Sequence, residues 1–362
     1  MKRPVQITGS ALLCARGATP QAVAQALWDG ECSSQMRPLG ERSFPFFALP
    51  LDDTDWMTRA EQAVRRVVAQ LGPLAPETPL FIASSSYQIG HFEQQARAGQ
   101  LDMPPASASF SRQIADWAGL SGPCSSISNA CISGFSAIDA ARSLIAGGRI
   151  DEAIVLGIEL ANDSTLAGFA AMELLARRSC RPFAPQRDGL VLGEAVSAIR
   201  LSAAPGRWRI AGLRTGIDAY STTGPDPDGG PIARLAVDCL NEAEMKPADI
   251  ELLKLQAAGS PGTDLAEANA LRRIFGNAVP PLISFKPSFG HTLGASGIAE
   301  LATLMACLDG EKIPATPGFS QTDPEIGLQL MVDRNNAYVE RAMLNLVGFG
   351  GGLATMIIER QA

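Results

Sequence analysis

Histidine is scarce: only His91 and His291 occur in 362 residues. Any chemistry that needs two imidazoles must use both. Cysteines are scattered, at positions 14, 32, 124, 131, 180, 239 and 307, odd in number and without a CxxC pair. That pattern excludes a disulfide framework and a zinc site of the usual spacing, and it points to a reducing, cytoplasmic setting. No run of about 20 apolar residues is present, so no membrane span is expected. The opening "MKRPVQITGSALLCARG" begins basic, but Gln6, Thr8, Gly9 and Ser10 break its apolar part. It reads as a strand and turn rather than a signal peptide. Charge is sparse too: 19% of residues are charged, the net charge is −7, and Lys and Arg form no long run. Disorder and direct nucleic-acid binding are both disfavoured.

Apolar material is ample at 46% of the chain. The length exceeds one ordinary core and suggests two lobes. Strand-like apolar runs alternate with helical patterns. "PLFIASSS" (Pro79–Ser86) and "EAIVLGIEL" (Glu152–Leu160) read as buried strands. Between them Phe135, Ile138, Ala141, Arg142 and Ile145 recur at helical spacing, and Gly147-Gly148 ends that helix. A Pro/Gly-containing break at Ala203–Gly206 separates a second, similar alternation. There the pattern predicts helices over Pro231–Glu244, Leu265–Phe275 and Ala295–Asp309, and strands near Ile250–Gln256 and Leu282–Phe285. A strand pair, ending in "GLATMIIER", closes the chain. The plan is α/β with two related halves, 1–202 and 203–362.

Three stretches carry candidate chemistry. In "ISNACISGF" (Ile127–Phe135), Cys131 sits where a strand over Pro123–Ser128 runs into a helix. Free N–H groups and the dipole at a helix start stabilise a thiolate, so Cys131 is a candidate nucleophile. A small buried residue that fills a gap is the plain alternative. In "SFKPSFGHTLGASGIAE" (Ser284–Glu300), Lys286 ends a strand and a glycine-bearing turn carries His291. That imidazole can donate to a carbonyl or pair with a thiolate; a turn histidine bonded to backbone is the alternative. In "VGFGGGLATMII" (Val347–Ile358), glycines flank Phe349, as in a gate over a pocket or a simple hairpin turn. Two long loops, in "RPFAPQRDGLVLGEA" and "DAYSTTGPDPDGGP", are either functional or plain connections.

Taken in order, these stretches resemble the β-ketoacyl-acyl-carrier-protein synthases, the condensing enzymes of fatty-acid and polyketide synthesis. "SNACISG" resembles the nucleophile motif, "RSCRPFAPQRDGLVLGEA" the S-R-P-F-x-x-x-R-D-G segment, and "KPSFGHTLGASG" the lysine–histidine motif. "DAYSTTGPDPDG" is similar to the loop before the second-half helix, and "GFGGG" to the C-terminal glycine motif with Phe349 as gatekeeper. The resemblance implies a thiolase-like fold, with two βαβαβαββ halves in an α-β-α-β-α five-layer arrangement. It implies dimers joined at the strand Pro123–Ser128. It implies Cys131, His291 and Lys286 as catalytic positions, and Glu267 and Glu300 as supporting ones. The backbone at Cys131 and around Phe349 and Gly350 would form the oxyanion hole. No tightly bound cofactor is implied; substrates would arrive on the phosphopantetheine of an acyl carrier protein.

The family also uses a second histidine, in a motif like A-H-G-T-x-T-x-x-x-D. The matching text is "LQAAGSPGTDLAEANAL" (Leu255–Leu271), which carries Ala258 at the histidine position in a loop about two residues shorter. His91 lies in a region that by resemblance lines the far end of the acyl pocket or the dimer face. Met172 is a weak candidate for the tunnel wall, with ordinary packing as its alternative. Three readings follow. The first is a chain-length-factor-like partner of a complete ketosynthase, in a type II polyketide, fatty-acid-type or polyene-type system, forming a heterodimer rather than a homodimer. The second is an active condensing enzyme that uses Cys131 and His291, with water or Gln256 as substitute donor. The third is an acyltransferase that does not condense.

Overall fold

The computed structural model describes residues 3–52, 54–100 and 107–361. Ten strands form one sheet. From one edge to the other they run Leu282–Ile283, Leu252–Lys254, Arg341–Val347, Gly352–Arg360, Trp208–Ile217, Gln6–Cys14, Ala195–Ser202, Glu152–Glu159, Leu80–Ala83 and Cys124–Ile127. Counted inward from its own outer edge, each half has the order third, second, fourth, fifth, first. The halves meet at a short seam, where Gln6 pairs with Arg209 and Ile7 with Trp208. So brief a seam lets the sheet fold around its two central helices.

Those helices are Ser133–Ala146 and Ser296–Asp309. Their side chains share one buried cluster with residues from the strands of both halves. The second is buried around nearly its whole circumference, which requires apolar residues on every face. The two helices start against each other. A Cβ on Gly134 would meet Ile298 at 3.1 Å, and one on Gly297 would meet Phe135 at 2.6 Å, so only glycine allows this approach.

Outer helices complete the layers. Trp56–Ala69 is capped by Asp55, which accepts from Thr58 N at 2.7 Å. It buries Trp56, Ala60, Ala63, Val64 and Val67, one helical face, against the first half. Gly230–Ala243 and Pro261–Phe275 cover the second half. The result is the α-β-α-β-α arrangement of a thiolase-like fold.

The expected elements differ mainly at their ends. The helix expected from Leu265 begins at Pro261, because the short loop after Gly259 brings a proline to the first helical turn. The strand expected over Ile250–Gln256 contracts to Leu252–Lys254, since Gln256 and Ala257 bond to a carboxylate instead of a neighbouring strand. Among the described residues no helix is long and apolar enough to cross a membrane.

Candidate active site

The strand Cys124–Ile127 delivers the chain to a turn in which Ala130 takes a positive φ of 45°. Non-glycine residues rarely adopt that conformation, and it concentrates at functional turns. The hydroxyl of Ser133 locks the turn: it accepts from Asn129 N at 2.7 Å and donates to Ala130 O at 2.6 Å. Cys131 is thereby held just before the first turn of the central helix, 4% exposed.

His291 comes from the other half. Its backbone N–H donates to Val191 O at 2.7 Å, and its carbonyl accepts from Gly193 N at 3.0 Å. The segment after the charged loop therefore clamps the histidine turn, a role that gives "RDGLVLGE" a purpose beyond connection. The imidazole Nε2 lies 3.0 Å from Cys131 Sγ. Nδ1 lies 3.0 Å from both Lys286 Nζ and Ser296 Oγ. Lys286 Nζ forms an ion pair with one oxygen of Glu300, and Lys254 Nζ with the other. All these groups are buried.

Burial sets the protonation states. Desolvation raises the Cys131 thiol above its ordinary value; the Phe349 N–H and the charge of Lys286 oppose that rise. Desolvation first, then the neighbouring lysines, hold His291 well below its usual value, so the ring is neutral. Lys286 is pushed down to about 7 by burial. A neutral imidazole with Nε2 at 3.0 Å from the thiol sulfur, beside backbone N–H groups at Cys131 and Phe349, is an arrangement for nucleophilic thiol chemistry.

A cavity of about 50 Å³ adjoins this pair, lined by Cys131, His291, Gln256, Ala258, Phe169 and Phe349 among others. It has room for a few waters only. The rings of Phe349 and Phe169, both on its wall, sit 6.0 Å apart. Phe349 lies in a tight turn between the last two strands, and the turn is stapled to the loop after Ile217. Gly350 N donates to Thr222 O at 3.1 Å, and Asp218 N to Gly351 O at 2.7 Å. A Cβ on Gly351 would lie 2.0 Å from Asp218 O, so the staple demands glycine.

Ala258 also lines this cavity and is buried, so a methyl group stands where a second imidazole is expected. The loop around it is firmly built. Glu267 accepts from Gln256 N and Ala257 N, each at 2.9 Å. Asp264 accepts from Ala258 N, Gly259 N and Phe183 N at 3.1, 3.3 and 3.0 Å. Gln256 Oε1 is buried without a partner. His91 lies on the helix Ile89–Arg97 beside Phe92 and does not line the cavity. Met172 is 41% exposed and does not line it either; Phe169 and Leu174 do.

Sequence reasoning missed Lys254, Asp264 and Ser296. Lys254 left a signal, since a lone charge inside the apolar run "LLKLQAA" requires a buried partner. Asp264 left one as well, since in a loop two residues shorter it falls on the aspartate that ends the A-H-G-T-x-T-x-x-x-D motif; Ser296 left none, because a serine among small residues is ordinary.

Residues 57–204 match the β-ketoacyl synthase N-terminal domain, and residues 208–320 match the β-ketoacyl synthase C-terminal domain. A 3-oxoacyl-[acyl-carrier-protein] synthase 2 of Staphylococcus aureus (strain COL) is 30% identical over 259 residues, 67% of this chain and 63% of that protein. The tetracenomycin polyketide synthase ketoacyl synthase alpha subunit of Streptomyces glaucescens is 30% identical over 271 residues, 70% of this chain and 63% of that one. The chain thus spans less than two thirds of the length of these relatives. Among solved structures, a ketosynthase in complex with its chain length factor from Xenorhabdus doucetiae superposes with a TM-score of 0.87 at 24% identity, covering 99% of this chain and 98% of that one. A β-ketoacyl synthase from Burkholderia phymatum STM815 gives 0.85 at 24% identity, with both chains fully covered. Likeness at that identity speaks for the fold.

Proposed function

Because the chain belongs to the β-ketoacyl synthase family, we propose that it is a chain-length-factor-like subunit that pairs with a complete ketosynthase and does not itself elongate acyl chains. The observation that carries this reading is Ala258. Decarboxylative condensation builds negative charge on the malonyl thioester oxygen, and donors aimed at that oxygen supply much of the rate. A methyl group donates nothing, and the one imidazole in the cavity is committed to Cys131 at 3.0 Å. The loop that would have to carry the missing donor is shortened and held by Asp264 and Glu267.

The fold offers a surface for pairing. Cys124–Ile127 is the outermost strand of its half, with Ser125 and Ser126 exposed, and an unpaired strand edge recruits another strand. A heterodimer across this edge would set the chain beside its partner's acyl tunnel. Substrates would be carried on an acyl carrier protein in a type II polyketide or fatty-acid-type system. That one of the structural neighbours is a ketosynthase assembled with its chain length factor supports the plausibility of such a pairing on this fold.

A second reading, an active condensing enzyme, is favoured by the intact Cys131–His291 contact. It would draw its missing donor from Gln256, whose amide borders the cavity, or from a water. Purification alone and with a candidate ketosynthase separates the two. The partner reading expects a stable 1:1 complex whose product length changes when this subunit is exchanged. Elongation by the isolated chain, lost in Cys131→Ala, would favour the second reading.

A further inference from the structure

Glu159, the last residue of the strand Glu152–Glu159, is 2% exposed and stands apart from the ion pairs of Glu300. Its carboxylate is held by neutral donors. Oε2 accepts from Ser85 N at 2.9 Å, Ser85 Oγ at 2.8 Å and Gly294 N at 2.9 Å. Oε1 accepts from Ser86 N at 3.0 Å and from the Ser86 hydroxyl. A buried carboxylate is tolerated only where such bonds replace its water. Burial raises this carboxyl above its ordinary value, and the Ser86 and Ser85 donors oppose that rise.

The donors belong to two turns in different halves of the chain. Ser85 and Ser86 follow the strand Leu80–Ala83, and Gly294 lies three residues after His291. The turns meet at backbone distance: a Cβ on Gly294 would lie 2.5 Å from Ser85 N and 2.8 Å from Glu159 Oε2. Each turn holds a non-glycine residue at positive φ, Tyr87 at 45° and Leu293 at 46°. Such conformations persist only where the surroundings over-determine them. On one side, Ser84 N donates to Ile127 O at 3.4 Å, so the serine turn rests on the strand that delivers Cys131. On the other, the chain after Gly294 enters the helix Ser296–Asp309, and Ser296 Oγ lies 3.0 Å from His291 Nδ1.

We propose that Glu159 is a positioning residue for the His291–Cys131 contact: it bolts the histidine turn of the second half to the strand ends of the first, from which Cys131 is also hung. The Val191 and Gly193 clamp grips the backbone of His291, and Glu159 grips the far end of the same turn. The 3.0 Å contact between Nε2 and Sγ crosses the two halves, and Glu159 bridges them beside it. A carboxylate suits the task, because each turn presents backbone N–H groups and both oxygens of one side chain can accept. The inference concerns the geometry of the thiol site and depends neither on pairing nor on elongation.

Two variants test it. Glu159→Asp keeps the charge but draws the carboxylate back by one methylene, so it cannot hold both turns. Glu159→Gln keeps the length but offers one acceptor where two are needed. NMR of selectively labelled histidine rings has an internal control, since His91 does not line the cavity. In both variants the His291 ring signals should move while those of His91 stay. Alkylation of Cys131 by iodoacetamide near pH 8, followed by peptide mass, should slow by about fivefold or more. A merely structural role would lower the thermal midpoint and leave the ring signals of the folded protein in place. Glu159→Asp with wild-type signals and rate would overturn the proposal. Faster alkylation in Glu159→Gln would overturn it too, because removing a negative charge that faces the thiol favours the thiolate. Should neither variant fold, hydrogen exchange in the wild type decides. The amides of Ser85, Ser86 and Gly294 should be protected together, as well as those of the helix Ser296–Asp309, and fast exchange at Gly294 would overturn the proposal.

Discussion

Cys131 comes from one stretch and Lys286, His291 and Glu300 from a second, Ser284–Glu300, and the fold joins them by contacts of 3.0 Å and by ion pairs. Each of the four was legible in the sequence through its motif, since the motifs keep the backbone turns that place them. The strain at Ala130 was not legible because the bonds from Ser133 that fix it leave no mark in the residue types, and the clamp on His291 by Val191 and Gly193 was not because those residues are distant in the chain. At this scale the thiol is the clearest readout. Replacing His291 by Gln removes the acceptor of the S–H proton, and alkylation of Cys131 near pH 8 should slow by about tenfold or more. An unchanged rate would show that the imidazole does not activate the sulfur. Because burial raises the thiol, the wild-type rate should still be climbing where an exposed cysteine has levelled off.

The element that departs most from expectation is the turn from Leu252–Lys254 into the helix Pro261–Phe275. Its motif match was readable, and so was the loss of a histidine at Ala258. The early helix start was not, because it follows from where the shortened loop lets Pro261 fall. Asp264, inside that first turn, is buried and pushed up to about 7, chiefly by desolvation. In the unfolded chain it would titrate near 3.8. Between these values the folded protein holds a proton that the unfolded chain has lost, so this group's contribution to stability falls as pH rises from about 4 to about 7. Lys286 acts in the opposite sense. Its folded value of about 7 lies below the ordinary 10.5, so its contribution rises with pH across that upper window. Urea unfolding measured across pH should therefore show a shallow minimum near pH 7 from these two groups. Asp264→Asn should flatten the lower limb and cost about 1–3 kcal/mol, since one buried N–H loses its acceptor. A lower limb that keeps its slope in the variant would refute the assignment.

At the scale of the molecule, alternating strands and helices and the Ala203–Gly206 break already implied two similar halves. What they could not convey is the seam. Two residue pairs between Gln6–Ile7 and Trp208–Arg209 are too few to show in a pattern of apolar residues, yet they let one sheet wrap two central helices. Both helices lead away from the site, so the distant motifs converge between them. Under the proposed pairing, the partner chain would dock on the outer edge at Cys124–Ile127. Ser125→Lys, which sets a charge on that exposed edge, should weaken the complex with a ketosynthase while leaving the thermal midpoint of the isolated chain nearly unchanged. A complex of full strength would move the interface elsewhere.

A site with Cys131 and His291 but with Ala258 in place of a second donor should not condense. Incubation of the purified chain, alone, with acyl- and malonyl-carrier protein, with the products read by mass spectrometry, tests this. No chain extended by two carbons should form, even if Cys131 becomes acylated. An extended 3-oxoacyl product that disappears in Cys131→Ala would contradict it.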